Sequence, residues 1–141
     1  MSGVTTIRTV GGIAHYDSKL RDEILKGKVI GPRIVASNEG ISVPHGHMAG
    51  SVAIAAHNNE EALALVDKAK SQNKLMITGG VLDAKEKDVP GELKMPPEMV
   101  KAVCDKAHQL GYKVAAHVES SEGVRVALEN GVDSIEHGAK L

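Results

Sequence analysis

The chain has no phenylalanine and no tryptophan, and Tyr16 and Tyr112 are its only tyrosines. Its interior must therefore be built from Val, Ile, Leu, Ala and Met, a set that suits layered aliphatic packing. Cysteine occurs once. Cys104 excludes an internal disulfide and gives no sign of an oxidising compartment. It falls on the apolar side of a predicted helix and reads as a small core residue. Long hydrophobic runs are missing too, so no segment spans a membrane, and MSGVTTIRTV lacks a signal-peptide layout. Neither sign of charge is in excess: 17 Lys and Arg face 18 Asp and Glu, for a net charge of −1. The positive charges are scattered, which gives no footprint for nucleic acid or an anionic membrane. These absences point to a cytoplasmic protein.

What is present is an ordinary apolar content, 42% of 141 residues, enough for one core. The chain reads as one domain over 1–141. It enters a strand soon after Met1 and stops just after another at Leu141, so both ends look cut. VTTIRTV (4–10) is β-branched and bounded by Gly11-Gly12, which predicts a strand. Asp17 is placed to cap a helix over 18–26 that carries Leu20, Ile24 and Leu25 on one face and stops at Gly27. RIVAS (33–37) is the next strand, and 38–57 reads as a long loop holding Pro44, His45 and His47. Asn58 and Glu61 form a capping box for a helix over 59–71 with Leu63, Val66 and Ala69 at helical spacing.

A strand over 74–78 and a loop from Gly79-Gly80 to Met95 follow. Pro96-Pro97 opens a helix striped by Met99, Val103, Ala107 and Leu110, with Gly111 as its stop. A strand at 113–116, a helix capped by Ser120 or Ser121 and ended by Gly131, and a strand at 134–136 complete the series. Alternation of this kind is a parallel α/β arrangement, an open sheet or part of a barrel.

The stretch KVAAHVESSEGVRVALENGVDSIEHG (113–138) organises the rest. Two apolar runs end in His117 and His137, with one helix-length segment between them. A strand–helix–strand unit of that length is a parallel crossover and brings both imidazoles to the C-terminal edge of the sheet. That edge is where α/β folds keep their chemistry. Two neutral imidazoles facing one concavity suit Zn²⁺ or a similar metal. Glu136 should point to the opposite face by strand alternation. Lys74 has three readings: a surface lysine, a Schiff-base amine of lowered pKa, or a CO2-derived carbamate whose oxygens bridge two metals about 3.5–4 Å apart.

VTTIRTVGG, LRDEILKGKVIGPRIVAS, KLMITGGVLD, KVAAHVES and GVDSIEHG, in that order, resemble the metal-dependent amidohydrolase superfamily, in its imidazolonepropionase-like and prolidase-like branch. The resemblance implies a partial (β/α)8 TIM-type barrel with parallel strands, truncated at both ends, of which this chain supplies strands two to six. It implies that Lys74 is the carboxylated bridging ligand and that His117 and His137 bind the second of two zinc ions. The His-x-His pair of strand one and the proton-transferring aspartate of strand eight have no counterpart, so no catalytic residue is assigned.

His45-Gly46-His47 follows the third barrel strand instead, which gives His47 a substrate-facing role rather than a metal. Thr9 stands after Arg8 where the family usually has aspartate, and Ser71-Gln72-Asn73 abuts Lys74 where apolar residues are usual. His15, His57 and His108 match no ligand position and are expected at the surface. The implied activity is hydrolysis of amide, cyclic amide or dipeptide-like C–N bonds, with the fragment inactive alone. Its rivals are a Schiff-base aldolase using Lys74 and a non-catalytic half barrel whose open edges pair in a homo-oligomer.

Overall fold

The computed structural model describes residues 3–69, 71–81 and 91–138. Among them the elements run β1 (Thr6–Arg8), α1 (Tyr16–Leu25), β2 (Arg33–Val35), β3 (Gly40–Ser42), β4 (Ala53–Ala55) and α2 (Asn59–Ala69). They continue as β5 (Asn73–Met76), α3 (Pro97–Gln109), β6 (Val114–Val118), α4 (Ser121–Glu129) and β7 (Ser134–His137). Every strand pair is parallel. β1 pairs with β2, and five strands form a sheet in the order β4-β3-β5-β6-β7. Helices α3 and α4 carry the chain from β5 to β6 and from β6 to β7, the crossover that parallel neighbours require.

The core lies between this sheet and helices α2, α3 and α4. Helix α3 buries Met99, Val100, Val103, Cys104 and Ala107; α2 adds Ala62 and Val66, and α4 adds Val126 and Ala127. Strands β5 and β6 are buried throughout. Both therefore read as continuous apolar runs broken only by Asn73, Lys74 and His117, as expected of a parallel strand covered on both faces. The aliphatic core and the buried Cys104 follow the composition.

Local signals place the helix ends. Gly27, Gly111 and Gly131 take φ of 72°, 77° and 87°, the left-handed geometry that ends a helix at little cost only for glycine. Pro97 opens α3. The Ser120 hydroxyl accepts from the Gly123 N–H at 3.1 Å and caps α4. Asn58 accepts from the Glu61 N–H at 2.9 Å, but the Glu61 carboxylate reaches back to His57 rather than closing the box on Asn58.

Three expectations are corrected. Segment 38–57 is no plain loop, because it contains β3 and β4. Each is only three residues long, with no alternation to betray it, and each exists through its neighbours: β3 pairs with both β4 and β5. The apolar face expected on α1 covers no core: none of its residues is buried, and Leu25 is 75% exposed. Asp17 lies inside the first turn of α1 instead of before it. Its carboxylate accepts from the Thr9 hydroxyl (2.6 Å) and the Asn38 N–H (3.0 Å), tying the ends of β1 and β2 together. The expected loop up to Met95 falls partly in 82–90, and the expected helix end partly at residue 70, both outside the described residues.

Candidate metal centre

Register assembles the site. Lys74 is opposite Ala115, Met76 opposite His117, and His117 opposite Glu136. In-register neighbours share a face, and so do residues two apart on a strand. Lys74, His117 and Glu136 therefore stand on one side of the sheet. This overturns the expected outward placement of Glu136. Its carboxylate accepts from Arg8 of β1 at 2.5 Å, and Arg8 also donates to the Ser134 hydroxyl at 2.8 Å. The same Arg8 and Glu136 charges act on Lys74.

By alternation His137 would belong to the other face, opposite Val118. It does not follow the alternation. Its φ of 72° is left-handed, uncommon for a residue with a Cβ, and the turn brings its ring 4.8 Å from that of His117, edge to face. The His47 ring stacks on that of His117, with centroids 4.0 Å apart and planes 15° apart. The Ser42 hydroxyl steadies that loop by donating to the His47 carbonyl at 2.9 Å. His45, two residues earlier, is exposed with a φ of 60°. Thus His47, His117 and His137 come together, with Lys74 near enough for its charge to act on His117. His15, His57 and His108 lie at the surface, each against a carboxylate: Glu39, Glu61 and Asp133.

Burial sets the protonation states. His117 is 3% exposed. Desolvation, together with the neighbouring His47, His137 and Lys74, drives its pKa down to about 4, so the ring is neutral at pH 7. The ring is hydrogen-bonded to the backbone of Gly79, yet Nε2 is buried without any partner. Among the described residues it is the only buried side-chain nitrogen or oxygen so left. Lys74 is 2% exposed, and burial lowers its pKa to about 8; Glu136 opposes the shift and Arg8 adds to it.

One residue of this cluster escaped the sequence analysis. Glu119, just past β6, puts a carboxylate oxygen 4.0 Å from the orphaned Nε2. Ligand atoms of His117, Glu119 and His137 all lie within 4.8 Å of one another. The signal was legible as His117-Val118-Glu119, a second polar side chain two residues on, just past the strand end. Two nitrogens and one oxygen, one of them a buried nitrogen with nothing to bind, form a donor set that fits a divalent transition metal.

The imidazole cluster sits at the C-terminal ends of parallel strands, where α/β and barrel folds keep their active sites. Comparison with known proteins gives the family: the chain matches the amidohydrolase family over residues 1–141 and belongs to that family. It is 24% identical to the ochratoxinase of Aspergillus niger over 96% of this chain and 33% of that protein. Among solved structures it resembles a prolidase-like protein from Bifidobacterium longum at 45% identity and a TM-score of 0.82, covering 99% of this chain and 34% of the other. It also resembles an Xaa-Pro dipeptidase solved with methionine in its active site, at 35% identity and a TM-score of 0.86, covering 97% and 37%. The chain thus spans about a third of the length of these relatives and has the fold of part of their barrel.

Proposed function

We propose that this chain supplies one side of the active site of a metal-dependent hydrolase that cleaves C–N bonds in small amide or dipeptide-like substrates. The observation that carries the reading is the neutral, buried, unpartnered Nε2 of His117, beside His137 at the rim of the parallel sheet. Burying a polar nitrogen without a partner costs about 1–3 kcal/mol, a cost that a ligand would remove. The C–N substrate class comes from the family and from relatives named for dipeptide and ochratoxin hydrolysis.

In this reading His117 and His137 hold zinc, and Lys74 joins them as a carbamate formed with CO2. Only a neutral amine can take up CO2, and Lys74, brought down to about 8, has an accessible neutral form near physiological pH. A metal held there would polarise a scissile carbonyl and lower the pKa of water. In this reading His47, whose ring stacks on that of His117, would help to position the substrate. The isolated chain is expected to hydrolyse acyl-amino acids and dipeptides little or not at all.

Metal analysis after dialysis against zinc, with anomalous scattering from crystals, tests the reading. Zinc at His117 and His137 supports it; protein without metal at micromolar free zinc overturns it. The lowered pKa of Lys74 also suits a Schiff base, which borohydride trapping of a carbonyl substrate on Lys74 would reveal. That alternative leaves the paired imidazoles without a task. A third reading is a half barrel whose open edges, expected at 4–10 and 134–136, pair with a second copy. A monomer in sedimentation would count against it.

A further inference from the structure

We infer that Glu119 is itself a metal ligand, completing with His117 and His137 a three-donor site that one divalent cation can occupy whether or not Lys74 is carboxylated. The inference rests on the metal reading above and extends it to a residue that neither the family resemblance nor the sequence pattern assigned.

Glu119 is held as a ligand needs to be held. Its N–H donates to the Thr78 hydroxyl at 3.0 Å, which anchors its backbone to the end of β5. Its Oε2 accepts from the Val81 N–H at 3.0 Å. Its carbonyl packs so closely against Gly91, at φ of 88°, that a Cβ there would collide with it. One carboxylate oxygen is thereby fixed from behind, and the other, Oε1, points towards the empty-handed Nε2 of His117. The 4.0 Å between them is too long for a hydrogen bond. It is the kind of gap that an ion fills: tetrahedral zinc with bonds of about 2.0–2.1 Å sets its ligand atoms roughly 3.4 Å apart. The three donors need draw in by only about an ångström. Glu119 also brings a negative charge to a cluster whose two imidazoles carry none when they bind metal, which favours a dication.

Lys74 offers no such donor until CO2 has reacted with it. A site that relied on Lys74 alone as its third ligand would therefore lack an anionic donor whenever the amine is free.

The test measures Zn²⁺ affinity of the 141-residue chain by competition with a chromophoric chelator, and reads Co²⁺ coordination from its visible absorption. The variants are Glu119→Gln, Lys74→Met and His117→Asn, and circular dichroism verifies each fold. Glutamine keeps an acceptor for the Val81 N–H and loses only the charge and ligand strength. The wild type should bind one ion, Glu119→Gln should weaken binding at least tenfold and change the Co²⁺ spectrum, and Lys74→Met should still bind one ion, which Glu119→Gln added to it should again weaken at least tenfold. Loss of binding in His117→Asn with wild-type affinity and spectrum in Glu119→Gln would overturn the role of Glu119 and leave the metal centre standing. If Lys74→Met abolished binding as His117→Asn does, independence from Lys74 would be refuted. A wild-type chain that binds no ion would overturn the inference together with the reading beneath it.

Discussion

Two histidines in this molecule sit in opposite circumstances. His108, at the end of α3, places Nε2 2.7 Å from Asp133 in a cluster where every polar group has a partner. The Asp133 carboxylate also accepts from Lys113 (2.7 Å) and from the Val114 N–H (2.9 Å). His117, on β6, is buried with Nε2 bound to nothing. The first cluster pins the start of β6 to the start of β7 and adds stability. The second costs stability and gains only when something enters. Residue type does not separate them; satisfaction of the ring nitrogen does.

Mutation should split the two clusters by sign. Asp133→Ala removes the partner of His108, Lys113 and the buried Val114 N–H together. Urea denaturation should register a loss of about 3 kcal/mol, with zinc affinity at the rim retained. His117→Leu removes an orphaned polar group and keeps an apolar side chain in its place. Stability at pH 7 should rise by about 1 kcal/mol while zinc binding disappears. A destabilised His117→Leu would break the contrast.

The clusters should also titrate in different windows. Burial lowers His117 from 6.5 to about 4, so between those values the unfolded chain holds a proton that the folded chain refuses. Stability therefore falls as pH drops from 6.5 to 4, by roughly 3 kcal/mol from this group, and His117→Leu should abolish that slope. For Asp133 burial pushes the pKa up, but the bonds from Lys113, His108 and the Val114 N–H outweigh it and hold the carboxyl at about 2. Its contribution is complete above 3.8 and is lost as pH falls through 2, below the His117 window. Lys74 acts at the alkaline end: its pKa is lowered from 10.5 to about 8, so stability should rise with pH between those values. Equilibrium unfolding across pH resolves all three.

The smallest effect serves as the control. Asn58→Ala removes the cap of α2, far along the chain from either histidine. It should cost about 1 kcal/mol and leave zinc binding and both acid windows unchanged.

Much of the architecture was legible because it is written in local terms. Glycine at 27, 111 and 131 ends helices wherever it occurs, since only a residue without Cβ enters the left-handed region freely. The helical spacing of Met99, Val103 and Ala107 and the apolar runs of β5 and β6 announced burial, whereas Leu110, expected on the same stripe, lies past α3 and is 44% exposed. Strands β3 and β4 were hidden because three-residue strands carry no period, and α1 misled because an apolar stripe says nothing about whether a neighbour will cover it.

The residues alone determined the alternation of strands and helices and the delivery of His117 and His137 to one edge, because chain order and crossover length dictate which strand ends meet. The tertiary structure decided the rest. Alternation along β7 places His137 and Glu136 on opposite sides, and register puts Glu136 on the side of Lys74 and His117, where Arg8 holds it across more than a hundred residues; only the left-handed turn at His137 departs from the rule. Glu119 became a candidate ligand only through Thr78, Val81 and Gly91, which hold it in place from other segments. A side chain's direction within a strand is a local property, but the company it keeps is set by parts of the chain that periodicity cannot see.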